Sequence, residues 1–306
     1  MPRFTRRSLL GGGALLAATA TLGRRARAST AASGLGSSTA TGGLGSVTAA
    51  GDVLAVPGRP VGALGGQDVA LALSDLPDHD RYVAFAQQIL DGNLPSFLRI
   101  LTPVTLVAPP GHDGPHLATI FVTPDYLSVG SRQDFLRTPL DLPQAARIAE
   151  SLGMTLPTPR MVDAIYAAAE TVLRPAPLPP TSQMRSVPYM LHHQALVEQA
   201  RAGRSVLPLM AGHKKDLVIT NRLHEQPDRV AIYGWHQPDG RPIQPLSLVH
   251  GKGYADYSHG VRLVSRHALV DGVPIDIFAA LADPRIGPLF TREGRIPDGE
   301  SLLRVS

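Results

Sequence analysis

The sequence predicts an α+β protein, with N-terminal helices and short strands followed by a mostly antiparallel β-sheet. Two patterns carry the expectation. Apolar residues recur at helical spacing over 77–90, 143–152 and 159–173. Short runs rich in β-branched and aromatic residues crowd 217–264, separated by glycine and proline turns. Helices first and strands later argue against an alternating parallel α/β sheet.

In chain order, 52–56 and 69–73 read as short strands. The helix 77–90 opens at Pro77-Asp78, gathers Tyr82, Phe85, Ala86, Ile89 and Leu90, and stops at Gly92. Residues 99–107 read as a strand interrupted by Pro103. Strands 117–122 and 126–129 flank a Pro124-Asp125 turn. The helix 143–152 takes Asp141 as its cap and Gly153 as its stop. The helix 159–173 places Met161, Ile165, Ala168 and Val172 on one side. Pro175, Pro177, Pro179 and Pro180 then impose an extended connector, so 174–182 is a candidate sub-boundary. A helix over 189–202 ends at Gly203. Strands are expected at 217–220, 229–235, 243–249 and 254–264, with Pro238-Asp239-Gly240 turning a hairpin. A final short helix spans 275–281.

Ahead of this body lie two segments of different character. Residues 1–28 hold six arginines and no acid, and Thr5-Arg6-Arg7-Ser8-Leu9-Leu10 has the form of a twin-arginine export signal. A glycine-diluted apolar stretch and Ala26-Arg27-Ala28 follow in the order of a signal peptide and its cleavage site. Residues 29–50 contain only Ser, Thr, Ala, Gly, Leu and Val, which is the composition of a flexible tether. The globular domain is expected over 51–306, in the periplasm or secreted, with no transmembrane segment in the mature chain.

The formal charge of +4 is a property of the signal. Without it, 23 basic residues face 25 acidic ones, so a nucleic-acid partner loses its electrostatic basis. The complete absence of cysteine excludes disulfides, thiolate metal sites and a cysteine nucleophile. There is no G-x-S-x-G elbow, no P-loop and no dinucleotide fingerprint in the mature chain.

Eight of the eleven histidines fall between His192 and His267. Three polar clusters sit at expected strand ends beside glycines, where a rigid sheet presents side chains to a ligand. These are Gly212-His213-Lys214-Lys215-Asp216, Tyr233-Gly234-Trp235-His236, and Tyr254-Ala255-Asp256-Tyr257-Ser258-His259-Gly260, with His250 just upstream. If they converge, His213, Asp216, His236, Asp256 and His259 form an acid–base site. His236 or His259 would activate water and Asp256 would orient or ligate. Lys214, Trp235, Tyr257 and Arg262 would contact substrate, with Lys214 and Tyr257 stabilising negative charge. A divalent metal on His236, His250, Asp256 and His259 is one version of this site, and metal-free chemistry the other. In a strict strand Asp256 and His259 point to opposite faces, so a turn or bulge near Ser258 is required. His192-His193 reads as helix packing.

The segments GHKKD (212–216), YGWH (233–236), IQPL (243–246) and YADYSHGVRLV (254–264), with VTPDYLSVGS (122–131), resemble a family of exported bacterial proteins. That resemblance implies export and supplies no activity. KDLVIT followed by RVAIYGW is also similar to the paired strands of NlpC-like, papain-related cell-wall peptidases, which use a Cys-His site; without cysteine that mechanism cannot operate here. The expected function is an exported hydrolase acting on an envelope or extracellular polymer. The alternatives are a non-catalytic binding protein for a glycan or peptide, using Tyr233, Trp235 and Tyr257, and a structural accessory protein.

Overall fold

The structure, a computed structural model, describes residues 53–304, so the export signal and tether expected over 1–28 and 29–50 lie outside the described residues. Helix α1 (Gly66–Ala72) stands where a strand was expected at 69–73. The run Val-Ala-Leu-Ala-Leu is too short for its period to decide between helix and strand. Docking decides instead. The Gly66 backbone lies so close to Phe135–Leu136 that a Cβ would fall 2.3 Å from the Leu136 nitrogen. Val69 and Ala70 then form the buried side of a helical turn. At 52–56 the structure holds only an isolated bridge, Val53 to Ile100.

Helix α2 (Asp78–Leu90) forms as its pattern requires, with Asp78 and Asp80 in the first turn, where the helix dipole favours negative charge. Strands β1 (Thr102–Val107) and β2 (Leu117–Val122) pair antiparallel from Thr102–Val122 to Val107–Leu117. Pro103 is tolerated because β1 pairs with β2 alone and needs no donor on its other side. A small hairpin of β3 (Ser128–Gly130) and β4 (Phe135–Arg137) follows.

Helix α3 (Leu142–Ser151) is capped by the Asp141 carboxylate, which accepts from Gln144 N at 3.0 Å, and leads to β5 (Met154–Thr155). Helix α4 (Pro159–Ala168) is capped by Thr158 and ends short of the expected residue 173. Ala169 turns extended, and β6 (Thr171–Val172) pairs in parallel with β7 (Met210–Ala211). Between them, α5 (Val187–Arg201) terminates in left-handed Ala202 and Gly203. The proline-rich connector does not divide the body, because the described residues belong to one compact unit. Leu178 in that connector is buried, and its backbone N and O are both hydrogen-bonded by the Tyr257 hydroxyl.

The remaining elements are β8 (Lys215–Leu217), α6 (Arg222–Glu225), β9 (Ile232–His236), β10 (Pro242–Ser247), β11 (His259–Gly260), β12 (Val264–Ser265), β13 (His267–Val270), β14 (Val273–Asp276), α7 (Ile277–Ala282) and α8 (Gly287–Phe290). One sheet runs β14-β13-β2-β12-β5 with β1 on β2, all antiparallel. The other runs β10-β9-β8-β11, and only its β8–β11 pair is parallel. The class is therefore α+β. Among the described residues no helix is long and apolar enough to cross a membrane.

The single strand expected over 254–264 is broken into β11 and β12. Asp256 is the cause: its carboxylate accepts from both the backbone N and the Oγ of Ser258, at 2.8 and 2.6 Å, which bends the chain through Tyr257–Ser258. A hairpin missing from the sequence reading joins β13 and β14. Asp271 and Gly272 both take positive φ, 47° and 83°, the geometry that two-residue hairpin turns demand.

Candidate functional site

The four-stranded sheet distributes the polar clusters between its two faces. Residues paired across strands share a face. His259 lies opposite Lys215, and Lys215 opposite Gly234; Gly260 lies opposite Asp216, and Asp216 opposite Tyr233. Strict alternation would put Trp235 with Tyr233. Gly234 at φ 105° and Trp235 at φ 54° break the alternation. The Lys215 ammonium instead lies 5.1 Å from the indole centroid, and His236 joins Tyr233 on one carboxylate. A left-handed backbone at a bulky residue is costly, and such strain concentrates at functional positions.

On the Asp216 side an ionic network fills the interior. Asp125 accepts from Arg137 Nε at 2.9 Å and pairs with His213 Nε2 at 3.1 Å, while Arg137 also reaches Glu198 at 2.8 Å. Burial alone would raise the Asp125 carboxyl, but Arg137 and His213 hold it far below the usual range. Burial lowers His213 to about 4 against the pull of Asp125. Tyr126 donates to Asp216 at 2.8 Å, and Arg262 donates to the carbonyls of Thr123 and Met210. Burial raises Asp216 to about 6, with Arg262 opposing. The Lys214 ammonium is 2.5 Å from the Tyr257 carbonyl, and burial followed by Arg137 lowers it to about 7.

These contacts correct several expectations. His213, Asp216, Lys214 and Arg262 are each 3 % exposed or less, and each is bonded to another segment of the chain. The Tyr257 hydroxyl is committed to Leu178 and is not aimed at a substrate. His236 lies on the same side as Asp216 but is bonded to a different carboxylate. Its Nε2 lies 2.9 Å from Asp163 on α4, which also accepts from Tyr233 at 2.9 Å and from Arg292 at 2.5 Å, and Tyr166 stacks on the imidazole at 4.5 Å. This dyad borders a groove lined by β1, Arg160 and Arg292. Asp216 and His236 share one side of the sheet, where a Cβ at Gly234 would lie 3.5 Å from both side chains, while His259 stands on the other side with Lys215, so the five residues do not line one cavity.

The metal set is also divided. His236 stands on Asp163, apart from His250, Asp256 and His259, and among the described residues no three His, Asp or Glu side chains are gathered as ligands.

What stays together lies around β11. Asp256 accepts from Ser258 and, at 3.1 Å, from Tyr254. His259 and Ser258 outweigh burial and lower its carboxyl. His259 is fully buried, and neither ring nitrogen has a hydrogen-bond partner among the described residues. Its ring centroid is 5.7 Å from Tyr254 and 6.1 Å from His250. Burial lowers its affinity for a proton, with Asp256 opposing. Asp256 makes no hydrogen bond to the imidazole, so it acts on His259 through charge and not by orienting it. Half-buried Lys215, His250 and Tyr254 form the rim. Trp235, 5 % exposed, and Tyr257, 2 % exposed, bracket His193 of α5 at ring distances of 6.4 and 5.1 Å, so they offer no open aromatic platform.

Sequence reasoning missed Asp125, Arg137, Asp163 and Arg292 as partners and took His193 for packing alone. Asp163 is the sole acid within α4, but nothing in its spacing pointed to a histidine seventy-three residues away. Comparison with protein-family models, curated proteins and solved structures found no match.

Proposed function

We propose that this chain is an exported hydrolase acting on an envelope or extracellular polymer, with His259 as the base. The observation that supports it is the bare imidazole. A buried polar group without a partner costs about 1–3 kcal/mol, so both unbonded nitrogens of His259 call for a water or ligand group that the fold itself does not supply. Burial keeps this histidine neutral at pH 7 and able to accept a proton, and with its value lowered to about 4 it is a weak base that depends on Asp256 to stabilise the imidazolium.

In this reading a water beside His259 gives up one proton to the imidazole as its oxygen joins the electrophilic atom of the scissile bond. Asp256 stabilises the imidazolium from the adjacent turn. The proton then passes to the leaving group, so one water is consumed per bond cleaved. Export and the envelope as destination rest on the arginine-rich leader of the sequence.

The test is release of soluble fragments from dye-labelled peptidoglycan and from dye-labelled polysaccharides. His259→Ala is expected to lower turnover by about 10²-fold or more, with little change in melting temperature. Equal turnover in the two proteins would end the proposal. The Asp163–His236 dyad favours a second location for the base, since it has the hydrogen-bonded carboxylate that His259 lacks. His236→Ala is the companion variant, and loss of turnover there alone would move the chemistry to the groove at Arg292.

A further inference from the structure

Around Trp235 two buried side chains have ring nitrogens without hydrogen-bond partners among the described residues. The indole Nε1–H, in a side chain 5 % exposed, has no partner among the described residues. Fully buried His193 has no partner at either ring nitrogen. The half-buried Lys215 ammonium lies over the indole; the Asp256 carboxylate acts on it from beyond salt-bridge distance. Trp235 and Lys215 can only donate, and neutral His193 donates from one nitrogen. A group that completes this set accepts from the indole N–H and the imidazole, and beside the ammonium an anion suits it best. A strained Trp235 backbone holds the indole against Lys215 when ordinary strand geometry would send it to the other face.

We propose that Trp235, Lys215 and His193 form a subsite for a ligand carboxylate, and that the carboxylate is the C-terminus of a peptide. This deepens the hydrolase reading, on which it rests only for the peptide's being substrate. A sugar acid is the less suitable source. Sugars bind aromatic side chains by stacking on an open face, whereas this indole is nearly buried, with Lys215 over one face. A carboxylate needs only the N–H edge and the ammonium, and the charge-assisted bonds to it are the stronger kind.

Trp235 is the only tryptophan in the chain, so its fluorescence reports directly on the subsite. The protein is titrated with the dipeptide Ala-Ala, with Ala-Ala amide and with galacturonate. Ala-Ala is expected to change the emission saturably, and the amide, lacking the negative charge, to bind at least tenfold more weakly. Lys215→Met, which keeps the aliphatic stem over the indole, should weaken Ala-Ala at least tenfold, while Lys215→Arg stays within a few-fold. Thermal unfolding of both variants separates lost binding from lost folding. Equal response to acid and amide, no response to any probe, or unchanged Ala-Ala binding in a folded Lys215→Met protein would overturn the subsite. Response to galacturonate without response to Ala-Ala would overturn the peptide assignment. Binding is read without turnover. Carboxylate binding by a protein that cleaves no polymer would remove the hydrolase reading and keep the subsite, and cleavage without carboxylate binding would do the reverse.

Discussion

Lys214 offers a direct test of the buried interior. Its side chain is 2 % exposed, its ammonium meets one carbonyl, and burial with Arg137 nearby lowers it from 10.5 to about 7. Between those two values the unfolded chain holds a proton at this position that the folded chain does not. Stability must then rise with pH, by at most about 1.4 kcal/mol per pH unit for one proton. Over pH 7.5 to 9.5, allowing for partial titration at each end, that is roughly 2 kcal/mol. Lys214→Met removes the titration and retains the stem. It also leaves the Tyr257 carbonyl unpaired, a cost that does not depend on pH. Urea denaturation followed by Trp235 fluorescence, at four or five pH values across this range, gives both curves. The wild-type curve should climb relative to the variant by roughly 2 kcal/mol. Lys215 is also lowered by burial, but it is common to both proteins and cancels in the difference. The raised tyrosines, Tyr82 and Tyr126, act near and above pH 10, outside the window. Two curves that run parallel within about 0.5 kcal/mol, against the slope expected from one proton, would mean that Lys214 keeps its proton when folded and that the interior is wetter than the packing implies.

Arg137→Met should cost about 3–5 kcal/mol in denaturation experiments, since it strands the fully buried Asp125 carboxylate without its main partner. Asp125 should also make the protein acid-labile. Its folded-state pKa lies below the unfolded value, so its contribution is complete above about pH 4 and fades as pH falls below that; Asp125→Asn should flatten that acid limb. Gly260→Ala should lower stability by about 1–3 kcal/mol, because a Cβ there would sit 2.6 Å from the Tyr126 ring and 2.8 Å from the Lys214 Cβ. Gly272→Ala, at φ 83° but in open space, should cost only about 1 kcal/mol in the same assay.

The local order of this chain was legible wherever the signal was itself local. Helices α2, α3 and α5 announce themselves by apolar spacing together with Asp141, Pro77 and Gly203 at their ends, and β1 and β2 by runs bounded by turns. The α+β class followed from those pieces. Three polar segments beside glycines, each with one histidine, stood out along the chain. What sequence could not assign was which side chain meets which. Asp125 finds Arg137 and His213, Asp163 finds His236, and Leu178 finds Tyr257 across intervals of up to eighty-eight residues, set by how strands stack and not by any repeat along the chain. The sequence determined that imidazoles and carboxylates would stand at strand ends. Tertiary structure decided that most of them neutralise one another inside. The reason is electrostatic: a charge leaves water only with a partner beside it, so buried ions pair with whatever the fold brings within reach, and His259, His193 and Trp235 are among the buried groups left without a hydrogen-bond partner among the described residues.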